Sequence, residues 1–186
     1  MSALSLILTL TEAGEYLRET AESALAAASA ANLTAELIVP VPQGAVDAVR
    51  AELHDLSCRV LPVAEEYPAA WNNRGAEAAS GDLLFFLQEG VILTAVGLEK
   101  MAEVLLPDAQ IAAVGPFTDH TVFSWQYLNA ERMSAQKIEV EHWVRTNLPY
   151  PTESLFLEHF ALLMRRTVFF QYGKFDVAFE GRSGAD

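Results

Sequence analysis

The residues best equipped for chemistry stand where apolar runs end. Gln88-Glu89-Gly90 follows Leu83-Leu84-Phe85-Phe86-Leu87 directly, so an amide and a carboxylate occupy the point where a buried strand must stop. Thr11-Glu12 stands in the same relation to the run from Leu4 to Leu10. A carboxylate in such a place holds a cation or moves a proton, and amides and hydroxyls bind polar ligands. The plain alternative for Gln88 and Glu89 is a solvated polar turn. Asn72-Asn73 precede the uninterrupted apolar run Leu83–Leu87, and their amides either contact a ligand or cap a helix. Asp119-His120 follows Gly115-Pro116-Phe117-Thr118 and reads as a metal or acid/base pair or as a surface loop.

Other chemistries are disfavoured. His54, His120, His142 and His159 are scattered, without the spacing of a zinc site. Ser5, Ser80 and Ser134 lack the Gly-x-Ser-x-Gly elbow of a hydrolase, and neither Gly-x-Gly-x-x-Gly nor a P-loop is present. Trp125 and Trp143 are able to stack on a sugar ring, but core or interface packing is the commoner use. The net charge of -13, with 12 basic residues against 25 acidic, speaks against nucleic acid and against an anionic membrane surface. No run reaches the ~20 apolar residues that cross a bilayer. The opening Met1-Ser2-Ala3 has no basic stretch or cleavage pattern, and the lone Cys58, in an apolar-flanked run, reads as a small core residue. The expectation is a cytoplasmic protein.

The hydrophobic pattern supplies the elements that would position these groups. Leu4–Leu10, Ala35–Val39, Cys58–Val63 and Leu83–Leu87 are short apolar runs suited to buried strands. The second is expected to stop at Pro40 and Pro42. Helical periodicity occupies 15–30, where Leu17, Ala21, Leu25 and Ala28 recur, and Thr11 is placed to cap this helix. Helices are also predicted over 45–53, 71–80, 98–106, 127–146 and 166–172, the last closed by Gly173, with further strands at 111–114 and within 155–164. The alternation β-α-β-α-β-α-β predicts one α/β domain over 1–186, three layers deep, with a mostly parallel central sheet. Such sheets bind ligands at the carboxyl ends of their strands, which points to the residues after Leu10, Val39, Val63 and Leu87.

Four segments in order resemble a known family. They are Leu4–Leu17 with Glu15-Tyr16-Leu17 opening a helix, and Glu36-Leu37-Ile38-Val39. The third is Trp71-Asn72-Asn73-Arg74-Gly75 followed by Ser80-Gly81-Asp82 and the apolar run to Leu87. The last is Leu163–Phe169 with Gly173-Lys174-Phe175-Asp176. Together they resemble a family 2 glycosyltransferase of the GT-A fold. The resemblance implies transfer of a sugar from a nucleotide-diphosphate sugar to an acceptor hydroxyl, with Mg²⁺ or Mn²⁺ neutralising the leaving diphosphate and a carboxylate taking the acceptor proton. Carried onto this chain, it makes Thr11, Glu12, Asn73, Gln88 and Glu89 donor contacts, Glu89 the metal ligand and Asp186 the base. His159 would stand on the acceptor side or serve as a hydrogen-bonded structural residue.

The chain departs from that family's pattern at each donor loop. Gln88-Glu89-Gly90 stands where the family has Asp-x-Asp, which leaves Glu89 as a lone carboxylate. Val41-Pro42 replaces the Asp that contacts the base, and Thr9-Leu10-Thr11-Glu12 replaces a Pro-Thr-Tyr-Asn-like loop. Asp186 is the last residue, whereas family members continue past it, so truncation at the C-terminus is expected. Loss of these acids raises the alternative of an inactive binding or assembly module. A missing C-terminal cover would expose apolar surface for a second copy or a protein partner.

Overall fold

The structure, a computed structural model, describes residues 3–10, 14–64, 67–118, 151, 153–154, 157 and 159–179. Its strands are β1 Leu4–Thr9, β2 Ala35–Pro42, β3 Cys58–Val63, β4 Leu83–Gln88, β5 Ala113–Val114 and β6 Ala161–Arg165. Its helices are α1 Leu17–Ala30, α2 Val46–Glu52, α3 Pro68–Ala78, α4 Ala95–Leu105 and α5 Arg166–Tyr172. The six strands form one sheet in the order β3-β2-β1-β4-β6-β5. β1 to β4 run parallel, and β6 runs antiparallel to both of its neighbours. The α/β architecture with a mostly parallel sheet is as the pattern predicts. The predicted helix over 127–146 lies outside the described residues, as do Asp119, His120, Trp125, His142 and Trp143.

Alternation along β1 divides the core into two layers. Leu4, Leu6 and Leu8 join Leu37, Val39, Phe85 and Leu87 beneath α1, α2 and α4. Ile7 joins Ile38, Leu84 and Phe86 beneath α3 and α5 through Ala76 and Phe169. The buried stripe of α1 is mostly alanine (Ala21, Ala24, Ala27 and Ala28), and such small side chains let a helix lie close to a sheet. Gly75 does the same for α3. A Cβ there would stand 2.5 Å from Ile7 Cγ2 and 3.1 Å from Pro40 Cγ.

Several boundaries differ from the sequence reading, each for a physical reason. β2 continues through Pro40 to Pro42 because its ladder to β1 ends at Ile38, while pairing with β3 persists to Pro42↔Val63. Past Ile38 the strand is an edge on its β1 side, where a residue without an N–H is tolerated. α3 begins at Pro68, whose ring pre-sets the first helical turn, rather than at Trp71. α4 begins at Ala95 because Thr94 Oγ1 accepts from Gly97 N at 3.0 Å. Only Ala113–Val114 of the predicted 111–114 run pairs as a strand. α2 is preceded by a single 3₁₀ turn, Gln43–Ala45.

Two arginines hold helix ends that no local pattern marks. The Arg165 guanidinium donates to Ile111 O at 2.7 Å and Asp108 O at 3.1 Å, and reaches the carbonyls of Leu105 and Leu106, closing the C-terminus of α4. Arg18 on α1 pairs with Glu22 and Asp55, and its hydrogen bond holds the Asp55 carboxyl below the usual range. Cys58 is half-buried at the start of β3, packed against the edge of the core, and burial raises its thiol pKa.

Candidate functional site at the carboxyl edge

The connections from β1 and β2 pass over one face of the sheet and that from β3 to β4 over the other, so the path reverses between the paired strands β1 and β4. Loops diverge at such a point and leave a crevice at the carboxyl ends. Thr9 pairs with Gln88 at the last register position there, which puts both on the α3 side of the sheet. The Thr9 hydroxyl donates to Leu87 O at 3.3 Å, and the Gln88 side chain is partly exposed.

Glu89 turns to the opposite side. It is 6% exposed, and its Oε1 accepts the backbone N–H of Tyr16 at 2.8 Å. Tyr16 is the N-cap position of α1 and makes no side-chain cap of its own. A carboxylate at this helix terminus satisfies an orphan donor and complements the positive end of the dipole. The cap of α1 therefore arrives from β4; Thr11, the local candidate, lies outside the described residues together with Glu12 and Asp186.

Asn73 neither caps α3 nor stands at its start. It lies in the second turn, 9% exposed, and its amide pairs with the backbone N–H and C=O of one distant residue. Nδ2 donates to Phe175 O at 2.9 Å, and Phe175 N donates to Asn73 Oδ1 at 3.0 Å. Phe175 then packs on Phe86 (centroids 4.9 Å, edge to face) and on Phe169 at 5.6 Å. The Gly173-Lys174-Phe175-Asp176 turn is thus fixed to α3 and β4, with Gly173 supplying the φ of +111° that ends α5. Each aromatic pair contributes about 1 kcal/mol beyond burial.

Asn72 differs from its neighbour. It is 4% exposed, and its Oδ1 is buried without a partner among the described residues. It stands one turn before Gly75 on the face of α3 that meets Ile7 and Pro40, in the part of the helix nearest the carboxyl edge. Sequence reasoning groups the two asparagines; the structure separates one closed amide from one open acceptor. His159 and His54 are exposed. Among the described residues no group of three acids, histidines or cysteines is placed to hold a metal ion. No described helix is long and apolar enough to cross a membrane.

No family model matches the sequence, and no curated protein does. Solved structures do match by shape. The mannosyltransferase PcManGT from Pyrobaculum calidifontis, in complex with GDP-Man and Mn²⁺, is similar with a TM-score of 0.61 and 14% identity over 94% of this chain and 48% of that one. Glucosyl-3-phosphoglycerate synthase from Mycobacterium tuberculosis, in complex with UDP, is similar with a TM-score of 0.56 and 17% identity over 89% of this chain and 57% of that one. The same synthase with Mn²⁺, UDP-glucose and phosphoglyceric acid gives a TM-score of 0.55 at 16% identity. The chain spans about half the length of these transferases. With its sheet order, parallel core and antiparallel β6, it has the fold of the GT-A glycosyltransferases.

Proposed function

We propose that this chain binds a nucleoside-diphosphate sugar at the crevice between the carboxyl ends of β1 and β4, as a glycosyltransferase-like protein of family 2. The observation that carries the reading is the reversal of chain path between those strands, flanked by Thr9 and Gln88; the buried Asn72 Oδ1 on α3, without a partner among the described residues, adds to it. A buried acceptor left unsatisfied costs about 1–3 kcal/mol, and a ligand N–H or O–H would recover it once the Asn72 side chain turns out of its buried position. Thr11, Glu12 and Gln88 are proposed as donor contacts. Asn73 is proposed to act on the donor only through the turn it holds.

In transfer, the acceptor oxygen bonds to the anomeric carbon as the carbon–oxygen bond to the diphosphate breaks. The acceptor proton passes to a carboxylate, the role proposed for Asp186. Support also comes from the similar transferases, whose structures contain UDP or GDP-Man. One observation favours a second reading, a binding or assembly module without transfer: the carboxylate of the Gln88-Glu89-Gly90 turn is committed to helix α1.

The test is thermal unfolding of the pure chain with UDP, GDP and their sugar conjugates. A ligand specific for the folded state at a hundredfold excess over its Kd adds about 2.7 kcal/mol and raises Tm. A rise with one nucleotide supports the donor site, and release of nucleoside diphosphate in the presence of acceptors then separates transfer from binding. No rise with any nucleotide at millimolar concentration contradicts the proposal.

A further inference from the structure

Three groups of the turn after β4 bond to the start of helix α1 and its first two turns. Tyr16 N donates to Glu89 Oε1 at 2.8 Å, Gly90 N to Thr20 Oγ1 at 2.9 Å, and Leu93 N to Ser23 Oγ at 3.2 Å. Positions 16, 20 and 23 fall on one helical stripe, so three contacts at four- and three-residue spacing staple the turn along one side of α1. Glu89 N is also taken, donating to Thr9 O at 2.9 Å. The GT-A fold implies a divalent cation at this turn, and the described residues there do not fit one. A hard cation at a diphosphate site needs at least one protein carboxylate free to face it, beside phosphate and water oxygens. Gln88 is neutral, Gly90 has no side chain and sits at φ +93°, and the Glu89 carboxylate is 6% exposed and hydrogen-bonded to the helix.

We infer that Glu89 is a positioning residue that anchors the start of α1 beside the carboxyl edge, and that nucleotide binding at this edge requires no divalent cation. The carboxylate does for the β1–α1 connection what a local cap does elsewhere. It fixes where α1 begins. The nucleotide half of this inference rests on the proposed donor site; the metal half does not.

The experiment titrates Mn²⁺ alone into the wild-type chain and Glu89→Gln, with binding read calorimetrically and hydrogen exchange followed at the Tyr16 amide. Gln keeps an acceptor oxygen for Tyr16 N and removes the charge. The expected result is no saturable Mn²⁺ binding up to millimolar concentration, with Tyr16 protection retained in Glu89→Gln and lost in Glu89→Ala. Nucleoside diphosphate affinity should be equal in EDTA and in Mn²⁺. Saturable Mn²⁺ binding by the wild-type chain overturns the inference, and its loss in Glu89→Gln would identify the ligand. If no nucleotide binds with or without metal, the donor site fails while the Mn²⁺ and exchange results still judge the role of Glu89.

Discussion

The two ends of the sheet use the same kinds of residue for different ends. At the amino edge, Glu36 Oε1 accepts from Ser5 Oγ at 2.6 Å, Ser80 N at 2.7 Å and Ser80 Oγ at 2.8 Å, while Gly81 N donates to Ser5 Oγ at 2.9 Å. Each of these groups has a partner within the cluster. At the carboxyl edge, Glu89 and Asn73 are closed in the same way, but Asn72 Oδ1 is left open among the described residues. A carboxylate near a strand end is therefore weak evidence of chemistry in this fold; an unpaired buried acceptor is the more telling feature. Arg166 Nε, beside Asp82 at the amino edge, is a buried donor without a partner among the described residues, so the contrast is between the closed Glu36 cluster and the open Asn72 acceptor.

Breaking the amino edge should have the largest effect. A Cβ on Gly81 would stand 2.7 Å from both Ala3 O and Ser5 Oγ, and the first of these is backbone. Gly81→Ala should cost about 3 kcal/mol, at the upper end of overpacking penalties, measured by urea unfolding. At the other edge, Asn73→Ala strands the N–H and C=O of Phe175 and should cost about 2 kcal/mol. Asn73→Asp, which cannot donate to Phe175 O when ionised, should fall between alanine and wild type.

A pH series sharpens the contrast. Burial opposes the charge on Glu36, but hydrogen bonds from Ser5, Ser80 and Gly81 outweigh it and hold the pKa below 4.5. A carboxylate depressed in the folded state adds stability above its unfolded pKa and loses it as pH falls through the folded value. The stability gap between wild type and Glu36→Gln should be full at neutral pH and should narrow below about pH 4.5. A gap that stays constant down to about pH 3 would mean that the Glu36 charge contributes nothing to the lock. The smallest effect is expected at Asn72. Asn72→Leu removes an unpaired acceptor with little change in shape, so the free chain should gain about 1 kcal/mol while stabilisation by nucleotide falls.

The element order is legible in the sequence because the first four strands are short apolar runs punctuated by helices, the pattern that burial on both faces demands. Pattern alone makes β2 too short, because Pro40 and Pro42 signal a stop only when both neighbouring ladders continue, and one of them ends at Ile38. The contacts that shape the site leave no local trace. Tyr16 and Glu89 lie 73 residues apart, and Asn73 and Phe175 lie 102 apart. Asn73 in a helical stretch looks like a cap candidate until the turn at Phe175 is known. One weak signal marks Glu89: Thr20 and Ser23 are hydroxyls on the stripe of α1 that continues Tyr16, which suggests a polar partner alongside the helix.

Amide chemical-shift mapping with uridine or guanosine diphosphate tests most directly whether the crevice between β1 and β4 is a nucleotide site. Such a site predicts saturable shifts at Thr9, Leu10, Gln88 and Glu89 and at the Asn72 side-chain amide, with the Ser5, Glu36 and Gly81 amides unmoved. Shifts confined to the amino edge, or none at saturating nucleotide, would contradict it.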